Sequence, residues 1–315
     1  MATVAKTAAK TREPFLVRWK KNYRVNKYIY LMLIPVVLFY VIFHYIPMGG
    51  AVIAFQNYSP ARGIRGSTWV GMAHFRDFLG GPFAWRLIRN TLLINVYAIA
   101  FGFPAPILLA LMINELRAKI FKKTMQTISY MPHFISLVVI SGLLLDFART
   151  GGLFNDIIVF FGGERSSLFA RAELFRMLFT ASGIWMTIGW SSIIYLATLS
   201  TVDPTLHEAA AMDGASRFKR MIHVSFPALV PVIIITLILR VGFILHQGFE
   251  RVFLLYSPII FETADVIATF VYRRGLLDMN FSFGAAVGIF NSAVNLVVLF
   301  AANYICRHAF KESLW

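Results

Sequence analysis

Charge is scarce in this chain. Only 14% of its 315 residues are Asp, Glu, Lys or Arg, against about 25% in an average soluble domain. Cysteine is scarcer still. A single one, Cys306, excludes an intramolecular disulfide framework and leaves no CxxC or Cys/His set for a metal. The chain lacks G-x-x-x-x-G-K-[ST], so it has no loop that could cradle nucleotide phosphates. Near His207 the text reads HEAAA, and Ala211 stands where H-E-x-x-H would need its second zinc-binding histidine. No A-x-A cleavage site follows the first apolar run, which therefore reads as a retained anchor rather than a signal peptide. Tandem repeats and low-complexity tracts are missing as well.

Apolar residues take the place of these features. They make up 58% of the chain, and the mean hydropathy is +0.68. Several apolar runs approach the ~20 residues that cross a bilayer, which makes this an all-α integral membrane protein. Hydropathy divides it into six helices, at roughly 28–48, 88–113, 125–147, 173–198, 226–247 and 282–305. Residues 1–27 form a basic leader, 28–305 the six-helix domain, and 306–315 a tail. The run LFNDIIVFF at 153–161 is too short to span and is expected along the membrane surface.

The net charge of +15 has a membrane explanation, so no nucleic-acid partner is implied. Basic residues collect on cytoplasmic loops. The leader carries Lys6, Lys10, Arg12, Arg18, Lys20, Lys21, Arg24 and Lys27, and the second loop Arg117, Lys119, Lys122 and Lys123. Arg217, Lys219 and Arg220 sit in the loop before the fifth helix, and Arg307 and Lys311 in the tail. With the N-terminus inside, every lysine is cytoplasmic. The opposite loops hold arginine alone among the strong bases, with most of the acids. Both termini, loop 115–124 and loop 199–225 are therefore expected in the cytoplasm of a bacterial cell, with lipids around the helices.

The loop at 200–225 contains EAAAMDGASRFKRMIHVSFP. Pro204 suits a helix start, the alanines favour helix, and Gly214 supplies a turn. A second short helix, SRFKRMIHV, is expected after it, with Pro227 and Pro231 marking entry into the fifth membrane helix. On physics alone an ordinary amphipathic loop explains this as well as a docking surface does.

The spacing adds to that reading. Glu208-Ala209-Ala210, three residues, Gly214, nine residues and then Val224-Ser225-Phe226-Pro227 resembles the signature of membrane subunits of binding-protein-dependent ABC importers, with Val and Phe for the usual Ile and Leu. GFERVFLLYSP (248–258) and ETADVIATFVYRRGL (262–276) are similar to the carbohydrate branch, particularly its polysaccharide and alginate importers. The resemblance implies an ABC importer permease fold working with a second, homologous permease, and family resemblance favours a different chain for it. It also implies a pair of ATPase subunits and an extracytoplasmic solute-binding protein. No cofactor is implied in this chain, and ATP and Mg would be bound by the ATPase, so the chain is a transport subunit and not an enzyme. Glu208, Ala209, Ala210, Asp213 and Gly214 would form the helix that couples to the ATPase.

Intramembrane polar groups are candidates for the substrate path. Arg240 lies about 14 residues into the fifth helix, roughly 20 Å from its inner end. It either faces the path, where it suits a carboxylated sugar, or pairs structurally with Glu250 or Asp146. Trp185 and Trp190 offer faces on which sugar rings stack, or they pack helices. The resemblance places a ligand-contacting aromatic at Trp190. Gln247 and Glu250 stand where the family often has asparagines. In the sixth helix, Gly284, Gly288 and Ser292 form a small-residue stripe, and Asn291 and Asn295 share a face suited to interhelical hydrogen bonds or to pore lining.

The resulting expectation is a permease subunit of an ATP-driven importer in the bacterial inner membrane, carrying an oligo- or polysaccharide such as alginate. The alternatives are a secondary transporter, for which neither inverted repeats nor a central acid is visible, and a membrane-embedded enzyme, for which no acid pair or histidine set is found. Orientation is directly testable. Lys122 and Lys219 should resist a membrane-impermeant amine reagent in intact cells and react in inverted vesicles; labelling in intact cells would overturn the N-in arrangement.

Overall fold

The structure, a computed structural model, describes residues 22–310 apart from 243, 246 and 247. Most of the basic leader and the end of the tail, including Lys311, lie outside the described residues. Among the described residues, six helical segments are long and apolar enough to cross a membrane: Lys27–Phe55, Ala84–Asn114, Leu137–Phe160, Ala172–Ser200, Arg217–Gly242 and Phe281–His308.

The chain divides into two units, 1–52 and 53–315. In the first, α1 (Lys27–Tyr40) runs on through a π-helical turn at Val41–Tyr45. Pro47 follows that turn. A proline ring meets the carbonyl four residues before it and offers no N–H, so the turn around Phe43 widens to i→i+5 bonding instead of breaking the helix. The same device recurs in the second unit. There, Met221–Ser225 is π-helical and Pro227 follows.

The second unit holds the rest. A two-stranded ribbon pairs Gln56 with Trp69 and Asn57 with Thr68, followed by α2 (Ala73–Leu79). The second span consists of α3 (Ala84–Ala100) and α4 (Pro104–Asn114). The break at 101–103 has a covalent cause, since Pro104 and Pro106 supply no N–H to the carbonyls of Ala100 and Gly102.

The third span departs from the sequence expectation. Residues 119–130 form a separate amphipathic helix, α5 (Lys119–Tyr130). Pro132 opens a 3-10 turn, and Ile135 and Ser136 are extended. The span starts only at α6 (Leu137–Ala148) and ends in α7 (Leu153–Phe160). The apolar run at 153–161, expected on the membrane surface, forms α7, set off from α6 by a non-helical turn at 149–152 within the apolar stretch Leu137–Phe160. Asn155 fixes the bend between α6 and α7. Its amide donates to the carbonyls of Arg149 and Ser166, both at 2.8 Å, and its Oδ1 accepts from the Ser166 N–H at 2.9 Å.

The fourth span is one unbroken helix, α8 (Ala172–Ser200). It packs against α3, α4, α5 and the fifth span. Gly189 permits the approach of α5, because a Cβ there would fall 2.1 Å from the carbonyl oxygen of Ser129. After α9 (Pro204–Met212), α10 (Arg217–Arg220) passes through the π turn into α11 (Phe226–Gly242). The basic segment expected as a free short helix is therefore the first turns of the fifth span. α12 (Phe249–Leu255), α13 (Phe261–Ala264) and α14 (Ile267–Val271) precede the last helix, α15 (Phe281–Phe310).

Two apolar clusters bracket the middle of this unit. One gathers Ile94, Phe175, Phe179, Val252 and Leu255. The other gathers Ile107, Leu111, Tyr195, Leu199 and Leu229. The glycine stripe of α15 packs only at its start. Gly284 abuts Gly275, whereas Gly288 has open space beside it and Ser292 is exposed.

Candidate functional site

A cavity of about 570 Å³ lies between the two clusters. Its wall combines the break in the second span, the middle of α8, the end of α11 and the start of α12. Gly102, at the break, lines it, and the carbonyls that Pro104 and Pro106 leave without intrahelical donors sit in this stretch. Ile94, Phe103, Phe179 and Ile184 supply apolar surface; Asn95, Thr180, Thr187, Ser191 and Thr236 supply polar groups. The Thr180 hydroxyl is buried and makes no hydrogen bond among the described residues. Tyr195 and Thr236 bond to each other at 3.1 Å.

Among the described residues two cations line this cavity, Arg240 and Arg251, and no carboxylate does. Arg251 is packed into the wall. Its Nη2 donates to the Phe179 carbonyl at 2.8 Å, and its guanidinium lies 3.6 Å from the Phe179 ring centroid. Gly183 makes the room, since a Cβ there would be 2.1 Å from Nη1. Burial, and then the charge of Arg240, push Arg251 down to about 10. The two guanidiniums share one cavity, Arg240 exposed within it and Arg251 partly buried, and their like charges favour an anion between them.

Arg240 does not have the structural partners expected for it. Asp146 pairs with Arg149 at 3.7 Å, with both side chains exposed. Glu250 is exposed, lies outside the cavity lining and forms no ion pair among the described residues. Gln247 lies outside the described residues. Trp190 lines the cavity, whereas Trp185, half-exposed, does not. The Trp190 ring stacks on His133, with centroids 4.6 Å apart and planes 8° from parallel, and meets Phe134 edge-on at 5.7 Å. Asn291 is not in the lining either; its Oδ1 is buried without a partner among the described residues. Asn295 accepts a hydrogen bond from the Leu245 N–H at 3.0 Å, tying α15 to the end of the fifth span.

Sequence reasoning missed Arg251 and His133. Arg251 follows the fifth apolar run and read as a loop residue. His133 sits in a stretch assigned to an unbroken third helix; Pro132 beside it was the available signal.

At the far end of α8 lies the Glu208–Gly214 segment. Asp203 caps α9 by accepting from the Thr205 N–H at 2.9 Å. That backbone hydrogen bond holds the Asp203 carboxyl below its ordinary range. The C-terminus closes as a Schellman turn. Ala215 N–H bonds to Ala210 O at 2.9 Å and Gly214 N–H to Ala211 O at 3.1 Å. Gly214 has φ +77, a conformation that favours glycine. The helix is presented outward: Glu208, Ala209 and Asp213 are exposed, Ala210 is partly so, and Met212 is 89% exposed. Arg220 reaches back to the His207 carbonyl at 3.5 Å.

Comparison with known proteins fits this arrangement. Residues 102–311 match the family described as binding-protein-dependent transport system inner membrane component. The chain is 44% identical to the polygalacturonan/rhamnogalacturonan transport system permease protein YteP of Bacillus subtilis (strain 168), over 92% of this chain and 91% of that one. It is 41% identical to protein LplB of the same organism, over 95% and 94%. Its fold matches a subunit in the crystal structure of a bacterial alginate ABC transporter in complex with alginate pentasaccharide-bound periplasmic protein, with a TM-score of 0.86, 39% identity, and coverage of 93% of this chain and 99% of that one. A continuous helix bundle around a polar cavity, a capped and outward-facing Glu-Ala-Ala turn, and these relatives agree: the chain belongs to the family of inner-membrane components of binding-protein-dependent transport systems, the multi-pass permease subunits of ABC importers.

Proposed function

We propose that this permease lines half of the path of an acidic oligo- or polysaccharide. The observation that carries the reading is the cavity, in which Arg240 and Arg251 face no carboxylate among the described residues. A uronate would bring the missing charge. Trp190, stacked on His133, lines the cavity and offers aromatic surface to a sugar ring, and the threonines together with the carbonyls freed at 100–102 offer hydrogen bonds to hydroxyls. The relatives support the class: one is named for polygalacturonan and rhamnogalacturonan, and one matched structure imports the acidic polysaccharide alginate. Glu250, Trp185 and Asn291 remain part of the proposal only as groups a longer substrate would pass outside the cavity, and Gln247, outside the described residues, remains a proposed substrate contact. A second permease, of different sequence, would complete the path, and a solute-binding protein would deliver the sugar.

The Asp203–Gly214 turn is, in this reading, the cytoplasmic coupling element, with both termini on that side. Glu208, Ala209, Ala210, Asp213 and Gly214 would enter a cleft on an ATPase subunit, which binds ATP and Mg. Short alanine side chains allow close approach, and the Schellman turn fixes the direction of the helix.

Two substitutions test the two halves. Glu208→Lys should leave the protein in the membrane but impair both uptake and the ATPase activity stimulated by the loaded binding protein; normal transport would sink the coupling assignment. Arg240→Gln should lower uptake of a galacturonate oligomer, per assembled complex, by about tenfold, the loss expected for one charge-assisted contact. Unchanged uptake of that sugar would end the role of Arg240 in reading charge.

A further inference from the structure

Four arginines gather where the second and fourth spans begin, at the opposite end of α8 from the Glu208 turn: Arg86, Arg89, Arg176 and Arg273. Two of them are neutralised. Arg273 and Arg86 flank the fully buried carboxylate of Asp265 at 2.7 and 3.7 Å. The other two are not. Arg89 donates through Nη2 to the backbone carbonyl of Glu262 at 3.3 Å. Arg176 donates through Nη2 to Asn90 Oδ1 at 3.0 Å. Neither has a carboxylate within ion-pairing distance among the described residues. The Nε of each is buried and makes no hydrogen bond among the described residues. The two guanidiniums lie close enough to repel, and the exposed carboxylate of Glu262 attracts Arg176 only from beyond pairing distance.

Position gives this pair a use. Arg176 is one helical turn from Thr180, and Asn90, which holds it, is one turn from Ile94. Residues four apart share a helix face, and both Thr180 and Ile94 line the cavity. Like Arg251, both arginines keep part of their surface open.

We infer that Arg89 and Arg176 form a carboxylate-binding site at the mouth of the cavity, taking one uronate unit of an acidic oligosaccharide before it reaches Arg240 and Arg251. Planar guanidinium forks suit a carboxylate. This site rests on the acidic-sugar reading, so its test must separate the two. The complete complex is reconstituted in proteoliposomes with its second permease, ATPase and binding protein. Uptake of trigalacturonate is compared with uptake of the carboxyl-reduced, neutral trisaccharide. Arg89→Gln and Arg176→Gln should each lower the ratio of acidic to neutral uptake by about tenfold, and Arg176→Lys should recover part of it. An unchanged ratio, or equal loss with both sugars, overturns the site and leaves a helix tie. Arginine modification of the wild-type complex provides the independent arm. Trigalacturonate should shield Arg89 and Arg176 from phenylglyoxal, and the neutral sugar should not. If the wild type imports no uronate, the acidic-sugar reading fails; shielding by trigalacturonate would then still support the site, and absence of shielding would overturn it. The same measurement decides if a variant does not assemble.

Discussion

The buried carboxylate of Asp265 is the anchor on which the upper half of the bundle depends. It accepts from Thr269 at 2.8 Å and pairs with Arg273 and Arg86, joining α14 and the segment after it to α3. Its neighbour Asn90 completes the joint by donating to the carbonyls of Glu262 and Asp265 at 2.8 and 3.0 Å while accepting from Arg176 of α8. Polar backbone away from water must find partners within the protein. Here a loop between two spans is held in place because side chains from the second and fourth spans satisfy it. Leaving that carboxylate unpaired would cost several kcal/mol, and the packing of Val252, Leu255 and Phe179 beneath it shapes the cavity wall.

From this joint, α8 carries position across the molecule. Its 29 residues span roughly 44 Å at 1.5 Å per residue. Arg176 lies at one end, the cavity faces Thr180 to Tyr195, and the capped turn bearing Glu208 begins just beyond the other end. On the proposed function, a rigid element that touches both the cavity and the Glu208 turn would be the physical route by which nucleotide-driven movement reaches the substrate. The cavity adds a second feature, which is cations without acids. Like charges on one wall repel, so two guanidiniums lining one cavity favour an anionic passenger over a neutral one.

Much of this was legible in the sequence because its signals are local. Apolar run length located five of the six spans to within a few residues at most ends, and the Pro204, Glu208 and Gly214 spacing gave a capped helix and a turn, found with φ +77 at Gly214. The errors arose where proline acts at a distance. Pro132 separates α5 from the third span, whereas Pro227 is absorbed by a π turn and extends the fifth span back to Arg217. Hydropathy alone does not distinguish those outcomes. Arg240 was visible as a cation in an apolar run, and Trp190 as an aromatic in mid-helix. Arg251 was not, because its place in the cavity depends on Gly183 and Phe179, about 70 residues earlier in the chain, and such tertiary contacts leave no periodic trace.

The central claim is that charge on the sugar, and not only its shape, is read inside the membrane. The most direct measurement is ATP-dependent uptake into proteoliposomes containing the whole complex, comparing a galacturonate oligomer with its carboxyl-reduced neutral counterpart at equal occupancy of the binding protein. The arginine-lined cavity predicts faster uptake of the acidic oligomer, with a preference that weakens as the carboxylates are esterified. Equal rates for the two sugars, or faster uptake of the neutral one, would contradict it.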